Sequence, residues 1–271
     1  MDNRAIGVFD SGLGGLTAVR ELRRLLPNEN IVYFGDTGRV PYGSRGKEVI
    51  ARYAHQDIRF LQSHDVKMIV CACGTVSSVL GKELDEEAAL PSTGVLLPAA
   101  QAACARSLSG RIGIIGTAAT IRSGALAKAI RTIRPDARIF GNACPLLVPI
   151  AEAGLARPDN VIAREAVAMY LAPLKAEGID TLVLGCTHFP LFSQLISEYF
   201  DHQVELVDSG QEVARFVQSF LTSRNLLCDP AQQGNCDFYV SDDVEGFIPT
   251  AELFLGDSIA QQVRRVEVDT L

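Results

Sequence analysis

Seven short apolar runs recur along the chain, IGVFD, NIVYFGD, KMIVCA, RIGIIGT, DTLVLGC, QVELVDS and DFYVSD, each beside a stretch whose apolar residues fall at helical spacing. This alternation is the signature of an α/β protein with largely parallel sheets flanked by helices. In such sheets functional groups gather at the carboxyl ends of the strands, where loops lead into helices. A faint internal echo supports two similar halves. VFDSG opens LTAVRELRRLL, LVDSG opens QEVARFVQSFL, and a strand followed by CGT is matched by a strand followed by GCT. Two α/β domains facing each other would explain the pattern, as would chance. Boundaries near Val95 to Pro98 and near Ser209 place residues 1–96 plus 210–271 in the first domain and 97–209 in the second.

With 271 residues, 48% of them hydrophobic and 21% charged, the chain has the composition of a globular protein. No apolar run approaches the roughly 20 residues that cross a bilayer, and MDNRAIGVFDSG lacks the build of a signal peptide, so a cytoplasmic protein without a membrane partner is expected. A net charge of -7 argues against nucleic acid. The short pairs Arg23-Arg24 and Arg264-Arg265 read as solvated helix and tail charges. Seven cysteines, an odd number scattered through a chain of this size, read as reduced thiols.

Four glycine and hydroxyl loops follow strands and lead toward helices: DSGLGG at Asp10, GTVSS at Gly74, GTAAT at Gly116 and CTHFP at Cys186. Free N–H groups at helix starts, joined by Ser and Thr hydroxyls, can seat a small anion, although each loop alone is equally an ordinary N-cap. DSGLGG fails the dinucleotide spacing and is followed by no P-loop lysine.

Cys71, Cys104, Cys144, Cys228 and Cys236 read as small buried apolar residues. Cys73 and Cys186 stand apart because each sits at a strand end beside glycine and threonine, where access and a helix N-terminus can lower a thiol pKa. Three uses compete. A zinc site of Cys71, Cys73, Cys186 and His188 has tighter spacing than usual for metal ligands. A thiol nucleophile with His188 as base is possible. The third use is proton transfer, with one thiolate removing a proton from a carbon and an opposing thiol delivering one to its other face.

IGVFDSGLGGLTAVREL, YFGDTGRVPYGSRG, the ACGT stretch, IGIIGTAATIRSG, ACPLLVP, LGCTHFPL and DFYVSDD resemble, in order and over almost the whole chain, the serial motifs of the glutamate racemases of the aspartate/glutamate racemase superfamily. The resemblance implies two α/β domains with the active site in the cleft between them, an isomerase that needs no cofactor or metal, and a role in supplying D-glutamate for peptidoglycan. It makes Cys73 and Cys186 the acid/base pair, with Asp10 assisting the first and Glu152 and His188 the second. Asp10, Ser11, Pro41, Tyr42, Gly43, Gly74, Thr75, Thr117, Thr120 and Thr187 fall at substrate positions. The expected partners are glutamate and a second copy of the chain in a homodimer. A pyridoxal phosphate enzyme would need a Schiff-base lysine, and none of Lys47, Lys67, Lys82, Lys128 and Lys175 lies in the matched motifs.

Two positions depart from the family pattern. Gly74 replaces an Asn expected to bond the charged groups of the substrate, and Leu126 replaces an aromatic. Another amino acid as substrate, a single-thiol decarboxylase and a catalytically silent binding protein therefore stay open. For a racemase lacking one anchor, Gly74→Asn is expected to lower KM more than it changes kcat, with a positive φ at Gly74 as the foreseeable obstacle.

Overall fold

The computed structural model describes residues 1–81, 83–84, 89–259 and 262–268; Lys82 lies outside them. Its strands form two sheets in which every pair is parallel. The first sheet contains β1 (Ala5–Asp10), β2 (Ile31–Gly35), β3 (Val66–Cys71), β4 (Ser92–Gly94), β9 (Cys236–Val240) and β10 (Val263–Arg265), in the spatial order β10-β9-β2-β1-β3-β4. The second contains β5 (Arg111–Gly116), β6 (Arg138–Ala143), β7 (Thr181–Leu184) and β8 (Glu205–Asp208), in the order β6-β5-β7-β8.

All seven apolar runs are strands. β1, β2, β3 and β7 are buried along their full length, which is why their sequences read as unbroken apolar segments. The three strands without such a run, β4, β6 and β10, all lie at sheet edges, where one side needs no apolar cover. Arg264 and Arg265 are exposed on β10, so they belong to an edge strand and not to a tail.

Helices α1 (Leu16–Leu25), α2 (Lys47–Gln62) and α3 (Gly74–Leu80) connect the strands of the first sheet. The helix Ser209–Ser223 follows β8 of the second sheet but packs against α1 and against the helix Leu96–Arg106. Gln218 there donates through Nε2 to the Leu25 carbonyl at 3.1 Å. One apolar cluster consequently runs from Ile6, Leu16 and Tyr33 to Leu184 and Phe189, joining the two sheets through a common core. The two echoing DSG segments share local geometry. Asp10 ends β1 and accepts the Gly12 N–H at 3.1 Å, while Asp208 ends β8 and accepts the Gly210 N–H at 2.8 Å.

All seven cysteines are free thiols. Cys71, Cys144, Cys228 and Cys236 are buried, whereas Cys104 is only half-buried, because its helix Leu96–Arg106 turns part of its surface outward.

Candidate active site

The carboxyl ends of both sheets face a single cleft of about 600 Å³. Its first wall consists of Ser11 to Leu13 after β1, Val40 to Ser44 after β2, and Cys73 to Thr75 after β3. The second wall carries Thr117, Ala118 and Arg122 after β5, Pro145, Val148, Pro149 and Glu152 after β6, and Cys186 to His188 after β7. Cys73 and Cys186 thus come from different sheets and line opposite sides.

Of the expected site residues, Asp10 and Thr120 stand behind the walls. Asp10 is buried under Ser11 and Gly12, and its Oδ1 has no hydrogen-bond partner. Thr120 donates its N–H to Thr117 Oγ1 at 3.2 Å, and the two hydroxyls lie 3.0 Å apart. Thr117 in turn lies 3.0 Å from Thr75 Oγ1, so a ladder of three hydroxyls crosses from one half to the other. Ser44, Arg122, Pro145, Val148 and Pro149 also line the cleft and were not anticipated. Their signal was present, since all lie within the YGS, TIRSG and ACPLLVP motifs.

The thiols have different surroundings. The Cys73 S–H donates to Ser11 Oγ at 3.5 Å. Burial first, and the Asp10 carboxylate second, push this thiol up to about 12 despite the Ser11 bond. The lowering that a helix start can give does not prevail here, because desolvation outweighs the few N–H groups within reach. Cys71 is not a wall residue: its sulfur is buried and accepts the Ser77 hydroxyl at 3.5 Å.

On the second wall, Cys186 Sγ lies 3.8 Å from His188 Nδ1, and His188 Nε2 lies 2.9 Å from Glu152 Oε1. Burial lowers the His188 pKa, but the bonds to Cys186 and Glu152 outweigh it, and the imidazole is pushed up to about 10. His188 is therefore a cation at neutral pH, with both ring nitrogens donating. Its charge is placed to stabilise an anion at the Cys186 sulfur. Thr187 fixes this loop to the first half by accepting the Thr17 hydroxyl on its carbonyl at 2.9 Å. Gly14 makes the approach possible, since a Cβ there would overlap Thr187 and His188.

Gly74 has a similar role with a different neighbour. It shows no positive φ, and a Cβ built on it would run into the carbonyl oxygen of Gly185. Gly74 and Leu126, the two departures from the family pattern, also border the same small cavity between the halves, with Thr120 and Gly185. Among the described residues no set of three or more His, Cys, Asp or Glu side chains converges as a metal site. Among the described residues no lysine lines the cleft.

Two parallel sheets thus each bring one thiol-bearing loop to a shared cleft lined by hydroxyl and backbone groups. The family model for Asp/Glu/hydantoin racemases matches residues 13–217. A glutamate racemase of Geobacter metallireducens is 45% identical over 256 residues, 94% of each chain, and one of Thermoanaerobacter pseudethanolicus is 40% identical over 269 residues, 99% of each. Among solved structures, the glutamate racemase of Francisella tularensis in complex with D-glutamate superposes with a TM-score of 0.92 at 34% identity over 100% of both chains. That of Thermus thermophilus, in complex with β-chloro-D-alanine, gives 0.90 at 39% identity, again over 100% of both. The chain belongs to the Asp/Glu/hydantoin racemase family.

Proposed function

We propose that this protein interconverts L- and D-glutamate by proton transfer between two thiols and the substrate Cα, without a cofactor. The observation that carries the reading is the placement of Cys73 and Cys186 on opposite walls of one cleft. In each turnover one sulfur, as thiolate, takes the Cα proton and the electron pair stays on the substrate. The opposing thiol then gives its proton to the other face, so configuration inverts and no net proton is consumed. The two sulfurs exchange roles and reset by reverse turnover or exchange with solvent.

A Cα proton beside a carboxylate is a very weak acid, so charge developing in the carbanion needs donors already in place. The hydroxyls of Thr75, Thr117 and Thr187 and the N–H groups of the strand-end loops supply them. With its high pKa, Cys73 stores a proton in the free site, and Asp10 behind it serves as its assisting group. Cys186 draws on the His188 cation, which Glu152 orients. Ser11, Pro41, Tyr42, Gly43 and Gly74 complete the substrate wall, and Thr120 holds Thr117.

Glutamate as the substrate is supported by the D-glutamate in the Francisella tularensis structure. The same reading carries a role in supplying D-glutamate for peptidoglycan, a cytoplasmic homodimer, and a domain division near residues 96 and 210. Among the described residues no helix is long and apolar enough to cross a membrane. Gly74, which offers no side-chain anchor, favours a second reading in which another amino acid is racemized.

Chiral chromatography of a panel of D- and L-amino acids, run in heavy water, tests both readings. The inverted product should carry deuterium from its first appearance while recovered substrate stays protiated. Absence of glutamate racemization by folded, reduced protein would overturn the assignment. Equal early labelling of both isomers would replace two bases with one.

A further inference from the structure

Behind the wall formed by Val40 to Ser44, two carboxyl groups are buried around one phenol and one guanidinium. Asp36, just after β2, and Asp57, on α2, both have 0% exposure. Arg39 donates through Nε to Asp36 Oδ2 at 2.6 Å and through a terminal nitrogen to Asp57 Oδ1 at 3.1 Å. The Tyr42 hydroxyl is in very close contact with Asp36 Oδ2 and stands 3.3 Å from Asp57 Oδ2. Ser241, at the end of β9, donates to Asp36 Oδ1 at 2.8 Å. None of these groups except Tyr42 reaches the cleft.

Counting hydrogens favours one protonation pattern. Tyr42 has a single hydroxyl hydrogen and two carboxyl neighbours, and the closer Asp36 oxygen takes it. With that hydrogen spent on Asp36, the 3.3 Å contact between the Tyr42 hydroxyl and Asp57 Oδ2 becomes a hydrogen bond when Asp57 carries a hydrogen of its own. Counting charges gives the same answer, because two buried carboxylates face the single guanidinium of Arg39 and like charges in one site do not both ionise readily. Burial, followed by the Asp36 charge, holds the Asp57 carboxyl well above the usual carboxylate range.

We propose that Asp57 is a positioning residue for the racemase site: held as a neutral acid, it donates to Tyr42, which donates to Asp36, and this chain of bonds fixes the Pro41 to Ser44 wall against which the substrate lies. The inference rests on the racemase reading of the cleft. It assigns work to a residue that touches neither thiol nor substrate.

The groups acting on Asp57 are few. Asp36, Arg39 and Tyr42 come from the segment after β2, and Asp10 from β1 adds a further negative neighbour. On β3, Cys71 is bonded to Ser77, and Lys67 is paired with Glu29. α3 carries no ionisable side chain. Arg39 lies 4.2 Å from the Tyr53 ring centroid, which holds the guanidinium over α2. Removing the Asp57 proton would leave two anions on either side of Tyr42 and loosen the wall.

The test compares wild type, Asp57→Asn and Asp57→Ala as full chains, measuring KM and kcat for glutamate racemization at neutral pH. Asp57→Asn, whose amide replaces the acid as donor, should keep KM within about twofold of wild type. Asp57→Ala should raise KM about tenfold with kcat within about threefold. An unchanged KM in Asp57→Ala, or a KM rise in Asp57→Asn as large as that in Asp57→Ala, would overturn the proposal. Infrared spectra of carboxyl-labelled protein give a readout that needs no turnover and no Ala variant. A protonated-carboxyl band should be present in wild type and lost in Asp57→Asn, and its absence from wild type refutes the neutral acid. Failure of wild type to racemize glutamate would instead refute the reaction, with the infrared band still deciding where the proton resides.

Discussion

The backbone of Gly74 lies directly against the carbonyl of Gly185, so that the thiol-bearing loop of one sheet touches the thiol-bearing loop of the other with no side chain between them. The opposing group is backbone and cannot swing aside. Gly74→Asn is therefore expected to separate the two walls instead of adding a substrate anchor. The obstacle is this carbonyl and not a positive φ. Overpacking of this kind costs about 1 to 3 kcal/mol. We predict at least a tenfold fall in kcat/KM for Gly74→Asn and for Gly74→Ala, with a lowered melting temperature in both. A fall in KM at unchanged stability for Gly74→Asn would show that the loops separate freely.

Each thiol should be indispensable for turnover and dispensable for folding. Cys73 and Cys186 expose only 4% and 6% of their surface, yet both face the cleft, and Ala removes one sulfur from each packed environment. Racemization by Cys73→Ala and by Cys186→Ala should drop about 10²- to 10⁴-fold, the range for loss of a positioned acid or base. Circular dichroism should report native folding for both. A variant retaining near-native turnover would remove that sulfur from the mechanism.

The pair His188 and Glu152 makes stability depend on alkaline pH. Its bonds to Cys186 and Glu152 push the folded His188 pKa to about 10 from a reference of 6.5, so the native state holds a proton that the unfolded chain releases. That stabilisation is complete below about pH 6.5 and is lost as pH rises through about 10. Cys73, raised from 9.0 to about 12, adds a second loss of the same sign that begins near pH 9. Between about pH 6.5 and 9, thermal melts of wild type should decline, while those of His188→Asn should stay nearly flat. Parallel declines would show that His188 holds no extra proton in the native state.

What could be read from the sequence follows burial. Central strands such as β3 and β7 are apolar on both faces and announced themselves, as did the motifs at their ends. The edge strands β4, β6 and β10 carry charged or small residues, because half of each needs no cover. Cys73, Cys186 and His188 were legible as types at strand ends, but their distribution over two walls depends on how the helix Ser209–Ser223 packs the halves together. The raised pKa of Cys73 had no local signal, because spacing shows the helix start and not the depth of burial. Asp57 carried no signal at all. It lies 47 residues from Asp10 in the chain, on an unremarked face of α2, and reaches the site only through Tyr42.

Among the described lysines Lys67 is the one whose surroundings are fully enclosed, and its role is structural. On β3 its ammonium meets Glu29 Oε2 at 2.5 Å, and it donates to the carbonyls of Asp2 at 2.6 Å and Leu226 at 2.8 Å. Glu29 Oε1 accepts the Cys228 N–H at 2.9 Å. The pair thus ties the N-terminal segment, the turn after α1 and the return to β9 at the end of the first sheet opposite the cleft. Removing one partner strands the other charge in a place water does not reach, a loss of about 3 to 5 kcal/mol in buried pairs. Lys67→Met should lower stability in urea by that amount. The double variant Lys67→Met/Glu29→Gln, which no longer strands a carboxylate and keeps an acceptor for Cys228, should be less destabilised than the sum of its single changes. At temperatures where both remain folded, kcat should match wild type, since neither residue touches the walls. Additive losses in the double variant would mean that the two charges stabilise the fold through separate contacts and not as a pair.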